Sequence, residues 1–167
     1  GAYLCFARLL DLWFISLFSA ESASNALLFA RTLKYIVLFL PALLFHFSVT
    51  FVGKQDYYRR IVWLYYLISL GYFIVVFLLP EHFLHGASYR FEAFWFPYAG
   101  PLFYIFPVLY LLLVGHAIQI LTSSKKLQSR AQQRKVNYLL STILIGLVGA
   151  GSSLTMEFGI DLPPYGI

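Results

Sequence analysis

The amino-acid sequence predicts an all-α fold, a polytopic bundle of transmembrane helices, from its composition and the length of its apolar runs. Of the 167 residues, 60% are hydrophobic, 20% are aromatic and only 11% are charged. A soluble domain carries roughly a quarter of its residues as Asp, Glu, Lys and Arg. The apolar runs reach about 20 residues, enough to cross a bilayer as a helix, and they do not alternate as the strands of a membrane barrel do. A soluble globular domain is therefore the minor alternative.

Five segments have the required length and form one transmembrane domain. The predicted spans cover approximately residues 2–20, 25–52, 60–80, 98–122 and 136–157. Pro41 should kink the second span and Pro107 the fourth, because a proline removes one hydrogen bond of the helical ladder. Pro101 suits the first turn of the fourth span. We expect the chain to be the middle of a longer protein, truncated at both ends, because it starts without Met and stops without a polar tail.

The charges of the connections predict the orientation of the bundle. Residues 53–60 carry three basic residues against one acid, and residues 123–135 carry five basic residues and no acid. The connection 81–96 and the C-terminal end lean acidic. Because basic residues mark the cytoplasmic side, both basic connections are predicted to be cytoplasmic. They account for the net charge of +5 and suit anionic lipid head groups. Nucleic acid is not an expected partner, since the charge is divided between two short loops.

Ionisable residues inside the spans are candidate ligand or proton contacts, because burying them in lipid is costly. Arg8 and Asp11 are three residues apart on the first span and can form a structural ion pair. Arg31 and Lys34 lie near the outer end of the second span. Their side chains either snorkel to the interface or line an outward-facing pocket. Glu157, at the outer end of the fifth span, is predicted to face one of them.

Two histidines inside spans, His46 and His116, complete the set of candidate contacts. The simpler interpretation is a neutral histidine hydrogen-bonded to a neighbouring helix. Both lie toward the cytoplasmic side and can approach each other, so a haem held by the pair is the one cofactor that remains open. We expect neither haem nor a metal site, because no Asp, Glu or Cys accompanies the histidines at ligand spacing. No catalytic motif is present, and no catalytic residue is predicted.

Small residues spaced four apart in the fifth span predict close helix packing. The pairs are Gly146 with Ala150 and Gly149 with Ser153. The outer connection 81–96 is predicted to be a solvated loop, with a short amphipathic helix or a cap over a pocket as alternatives.

Several motifs resemble those of a known family, the N-terminal seven-helix membrane region of bacterial sensor histidine kinases. The second span has that family's proline, F-x-F pair and closing Phe–Gly, here Pro41, Phe45, Phe47, Phe51 and Gly53. The fourth span opens with GPLFYIF, residues 100–106. A basic, Gln-containing connection leads to a fifth span with a Gly-rich middle and an exit of the G-I-x-x-P-P-x-G type, here Gly159, Ile160, Pro163, Pro164 and Gly166.

This resemblance implies that the five spans are helices two to six of seven, in the inner membrane of a bacterium. The missing seventh helix would return to the cytoplasm, where output domains lie. The chain would then be the sensory module of a two-component system, relaying a ligand, lipid or membrane signal to a kinase, with Pro41 and Pro107 as hinges. Its partners would be the bilayer, the missing first and seventh spans, and either a second copy or other subunits.

Two other function classes remain open from the sequence. One is an accessory or structural transmembrane subunit of a larger respiratory or photosynthetic complex, which the abundant aromatics would also suit. The other is a transporter fragment, which ranks lowest because the sequence has no internal repeat and no paired broken helices. The sequence that follows residue 167 would distinguish the sensor from the accessory subunit.

Overall fold

The computed structural model describes residues 22–90, 94–124 and 129–159. Its elements in chain order are α1 (Ala23–Val37), α2 (Leu40–Val52), α3 (Gln55–Leu78), α4 (Pro80–Phe83), β1 (Leu84–Arg90), β2 (Phe94–Ala99), a 3-10 turn (Pro101–Tyr104), α5 (Ile105–Ser124) and α6 (Arg130–Glu157). The predicted first span, the Arg8–Asp11 pair and the end of the exit motif lie outside the described residues.

The predicted all-α membrane class is confirmed. Within the described residues, three helical segments are long and apolar enough to cross a membrane: Ala23–Val52, Gln55–Leu78 and Pro101–Ser124. They match the predicted second, third and fourth spans, and the predicted fifth span lies inside the 28-residue α6. Many large apolar side chains face outward, as they would toward lipid: Val148 is 74% exposed and Leu111 is 62% exposed.

The second span is divided into two helices, α1 and α2, and Pro41 explains the division. Pro41 has no N–H to donate to the carbonyl four residues earlier, and that residue, Val37, is where α1 ends. Leu38 and Phe39 form a turn, and α2 then starts with Pro41 in its first turn. The proline therefore produces the kink that the sequence predicts. Pro107 lies in the first turn of α5, directly after the 3-10 turn, so the irregularity precedes it instead of bending the helix interior.

The helices run antiparallel and bring the two basic connections to one end of the bundle. Gly53 ends α2 in the left-handed conformation, with φ of 74°, which glycine adopts without steric cost. At this end Val52 packs in a cluster with Leu121 and Val136, from α5 and α6. At the opposite end Phe103 contacts Phe158, with ring centroids 5.7 Å apart.

The connection 81–96 forms a β-hairpin, which corrects the expectation of a loop or a short amphipathic helix. In the described part of this connection the helix covers Pro80–Phe83, and β1 then pairs antiparallel with β2, with Ser88 opposite Phe96. A lone two-stranded hairpin is marginally stable, but this one packs against α1 and α6. Phe83 and Leu84 at its base are fully buried in a cluster with Phe103 and Phe106. The hairpin therefore covers the end of the bundle opposite the basic connections.

Candidate functional site

Four charged residues meet beneath the hairpin, and we call Arg31, Lys34, Glu81 and Glu157 the outer ionic cluster. Arg31 and Lys34 are three residues apart on α1, and therefore lie on one face of that helix. The Nη2 atom of Arg31 lies 2.9 Å from Oε1 of Glu81 and donates to the carbonyl of Leu84 at 2.8 Å. Arg31 thus attaches α1 to the base of the hairpin.

The other half of the cluster is a buried ion pair between α1 and the C-terminal end of α6. Lys34 Nζ lies 2.5 Å from Glu157 Oε1. Lys34 is 9% exposed and Glu157 is 1% exposed. The ammonium group also lies 5.1 Å from the centroid of the Phe103 ring, a distance that allows a cation–π contact. The Lys34 side chain therefore turns into the bundle, and the snorkelling interpretation does not describe it.

Within the described residues, three buried polar atoms of the cluster have no further hydrogen-bond partner. Apart from the ion pair with Lys34, neither carboxylate oxygen of Glu157 has a hydrogen-bond partner among the described residues, and the same holds for Nε of Arg31. Buried carboxylates in stable ion pairs have their remaining lone pairs satisfied by further donors. This pair thus has the polar groups to accept water or a polar ligand if the hairpin moves.

A second set of polar contacts lies nearer the basic end of the bundle and consists of two Tyr–His pairs. The hydroxyl oxygen of Tyr65 lies 2.6 Å from Nδ1 of His116, and the hydroxyl oxygen of Tyr66 lies 3.1 Å from Nδ1 of His46. His116 also packs on the ring of Phe45, with centroids 4.8 Å apart. Adjacent residues on a helix point about 100° apart, so the two tyrosines hold their histidines on different sides of α3.

The arrangement bears on each candidate contact predicted from the sequence. Arg31, Lys34 and Glu157 come together as expected, with Glu157 facing Lys34. The two histidines are held by separate tyrosines rather than by a shared group. No three His, Cys, Asp or Glu side chains cluster at metal-binding distance in the described part of the chain. The expectations of no haem and no metal stay predictions.

The packing role of the small residues in α6 also stays a prediction. A Cβ added at Gly146 would meet nothing within 4 Å, so no described helix packs against that residue. Gly149 makes a contact within the described structure. The side chains of Ala150 and Ser153 lie outside the described set.

Sequence reasoning missed three residues of these sites: Glu81, Tyr65 and Tyr66. Glu81 follows a proline in a connection, where a solvated acid is the ordinary interpretation. The tyrosines belong to a chain with 13 Tyr, so nothing in their pattern separates them from lipid-facing aromatics. The one available signal was the position of Tyr65 and Tyr66 in the middle of a span, where a hydroxyl needs a partner.

Comparison with known proteins is informative at the level of the protein family. Neither the curated proteins nor the solved structures contain a match to this chain. A family model described as the N-terminal 7TM region of histidine kinase matches residues 3–167. The match covers nearly the whole chain, including the kinked second span and the helix that ends at Glu157. The chain therefore belongs to the family of N-terminal seven-transmembrane regions of histidine kinases.

Proposed function

We propose that this chain senses a ligand, lipid or membrane state through the outer ionic cluster and relays it to a cytoplasmic kinase domain. Membership in the family of N-terminal seven-transmembrane regions of histidine kinases supports a sensory role for this region, with the catalytic step assigned to a separate kinase domain. The observation that carries the proposal is the Lys34–Glu157 ion pair, buried between α1 and the end of α6 and covered by the hairpin.

A buried ion pair can act as a two-state element because its energy depends strongly on water. Separating the charges in a dry site leaves each one uncompensated, whereas separating them after water has entered costs much less. The pair joins α1 to α6, so its opening frees the outer end of α6. If the five spans are helices two to six of seven, the seventh helix follows this end, and movement there would be passed to the output side.

The hairpin supplies a route by which a signal reaches the pair. Arg31 holds the hairpin through the Leu84 carbonyl and through Glu81, whose side chain is 66% exposed. A ligand or lipid that draws the hairpin away would expose Lys34 and Glu157 to water. Such a signal shifts the equilibrium only by as much as it favours the open arrangement over the closed one.

The experiment compares Arg31→Gln with the matched control Glu81→Gln in the full-length protein, reconstituted in lipid vesicles. Arg31→Gln removes the donor to a backbone carbonyl, which costs about 1–3 kcal/mol, and should change basal autophosphorylation at least fivefold. Glu81→Gln removes only the ion pair at a carboxylate whose side chain is 66% exposed, worth up to about 1 kcal/mol, and should change autophosphorylation less. Both variants should elute like the wild-type protein in size-exclusion chromatography.

Equal, wild-type-like kinase activity in both variants would contradict the proposed role of the cluster. A full-length protein without a kinase domain, isolated only together with other membrane subunits, would instead support the accessory-subunit alternative.

A further inference from the structure

An exposed face of α3 carries an open groove near the basic end of the bundle. The groove measures about 570 Å³ and is lined by Arg59, Arg60, Trp63, Leu64 and Leu67. All five residues are exposed. The groove lies at the opposite end from the outer ionic cluster and plays no part in the proposed sensing step.

The upper part of the groove is cationic. Within the described residues, both ion pairs belong to the outer ionic cluster. No described acidic side chain therefore lies within ion-pair distance of Arg59 or Arg60. A second groove of about 470 Å³ shares Arg59 and Trp63 with the first and also contains Asp56. With Lys54 also exposed, this end of α3 has three cations against one carboxylate.

The lower part of the groove is apolar and continues into the membrane. Trp63 and Leu64 each lie three or four residues from both Arg60 and Leu67, so the four residues form one stripe on the helix. From Arg60 to Leu67 the helix rises about 10 Å. Trp63 is 63% exposed and stands between the two parts, at the depth where tryptophan favours the membrane–water interface.

We propose that this groove binds one anionic phospholipid of the leaflet on the basic side of the bundle. The phosphodiester group lies against the guanidinium groups of Arg59 and Arg60, which match phosphate oxygens with paired N–H donors. The two residues point about 100° apart on the helix, but both line the groove, because their side chains are long enough to reach it from either side. The glycerol region packs on Trp63, and the acyl chain follows Leu64 and Leu67. The order of charge, interfacial aromatic and apolar surface along the stripe matches the order of groups along such a lipid. A free phosphate would use only the upper third of it.

The binding test uses native mass spectrometry of the detergent-solubilised full chain with dioleoyl phosphatidylglycerol. We expect Arg59→Gln/Arg60→Gln to weaken retention of one lipid about 25-fold, since each basic residue near a membrane surface contributes about a factor of five. The matched control is Arg134→Gln/Lys135→Gln, which removes the same charge from exposed residues at the same end. It should retain the lipid. Equal loss in both variants would show a general charge effect and overturn the site.

A contact measurement on the wild-type chain keeps the proposal independent of the variants. Brominated phosphatidylglycerol should quench the fluorescence of Trp63 more than brominated phosphatidylcholine does. Trp63→Phe reports the share of the signal that belongs to this residue. Equal quenching by the two lipids overturns the proposal. Displacement of the lipid by millimolar inorganic phosphate shows that the site recognises phosphate alone, and overturns the assignment to a phospholipid.

Discussion

The Lys34–Glu157 pair allows a test of how a buried ion pair contributes to this bundle. The test is a double-mutant cycle with the variants Lys34→Met, Glu157→Leu and the combination of both. Each substitution replaces a charged side chain by an apolar one of similar volume. With 2.5 Å between Nζ and Oε1, the attraction at an effective dielectric constant of about 20 is of the order of 7 kcal/mol. Desolvation of the two charges offsets part of it.

Each single variant leaves one buried charge without its partner, which destabilises a protein by about 3–5 kcal/mol. The double variant leaves no charge, and apolar replacement of a buried pair is neutral or stabilising by about 1–4 kcal/mol. The double variant should therefore be at least as stable as the wild-type chain, despite two damaging single substitutions. Phe103 and Phe106, beside the ammonium group, supply the apolar surroundings that accept the new side chains.

The assay is reversible unfolding in mixed micelles, followed by circular dichroism as the fraction of sodium dodecyl sulfate rises. Lys34→Met and Glu157→Leu should unfold at lower fractions, and the double variant should return to the wild-type midpoint or exceed it. Lys54→Met, which removes an exposed lysine, should change the midpoint little. Losses below about 1 kcal/mol in both single variants would refute the reasoning, as would a double variant whose loss equals the sum of the two.

Two further predictions use the same unfolding assay. Gly100→Ala should destabilise the chain by about 1–3 kcal/mol, because its Cβ would lie 2.2 Å from the His82 carbonyl oxygen; Gly71→Ala, with open space at its Cβ, should be neutral or stabilise by up to about 1 kcal/mol. Tyr65→Phe should lower the free energy of unfolding by about 1–2 kcal/mol, because it leaves the part-buried Nδ1 of His116 without its 2.6 Å partner. Tyr66→Phe should lower it by about 0.5 kcal/mol, because its hydrogen bond to His46 is longer and exposed. A reversed order within either pair of variants would contradict these assignments.

The second span shows how far local sequence determines this fold. Its length and composition predict a membrane helix, and Pro41 predicts where the hydrogen-bond ladder breaks. Both properties depend on a few neighbouring residues and on the surrounding lipid, so they can be read without knowing the rest of the chain. The bounds of α3 and α5 differ from the predicted spans by two to seven residues, because helix ends also depend on caps and on neighbouring elements.

The hairpin shows where local reasoning failed. Its strands are short and contain glycine, serine and one proline, which are weak strand formers. The hairpin forms because Phe83 and Leu84 are buried among side chains from α1, α3 and the 3-10 turn. That environment exists only after the helices have assembled, so the strand pairing is a consequence of tertiary packing.

The candidate sites show the same distinction between what local sequence indicates and what tertiary packing decides. Arg31, Lys34, Glu157 and the two histidines are identifiable from the sequence, because ionisable groups are rare inside membrane spans. Their partners are not identifiable, because residues far apart in the sequence meet only across assembled helices. Glu81 reaches Arg31 through the hairpin, and the two tyrosines reach their histidines across helix interfaces.

By itself, the sequence determined that the chain lies in a membrane, that it is helical and that it kinks at Pro41, because each follows from the free energy of placing a short segment in lipid. The tertiary structure alone decided that the outer connection is a hairpin, that Lys34 turns inward to Glu157, and that the two histidines bind separate tyrosines. These outcomes depend on which helix faces meet, and no single segment carries that information.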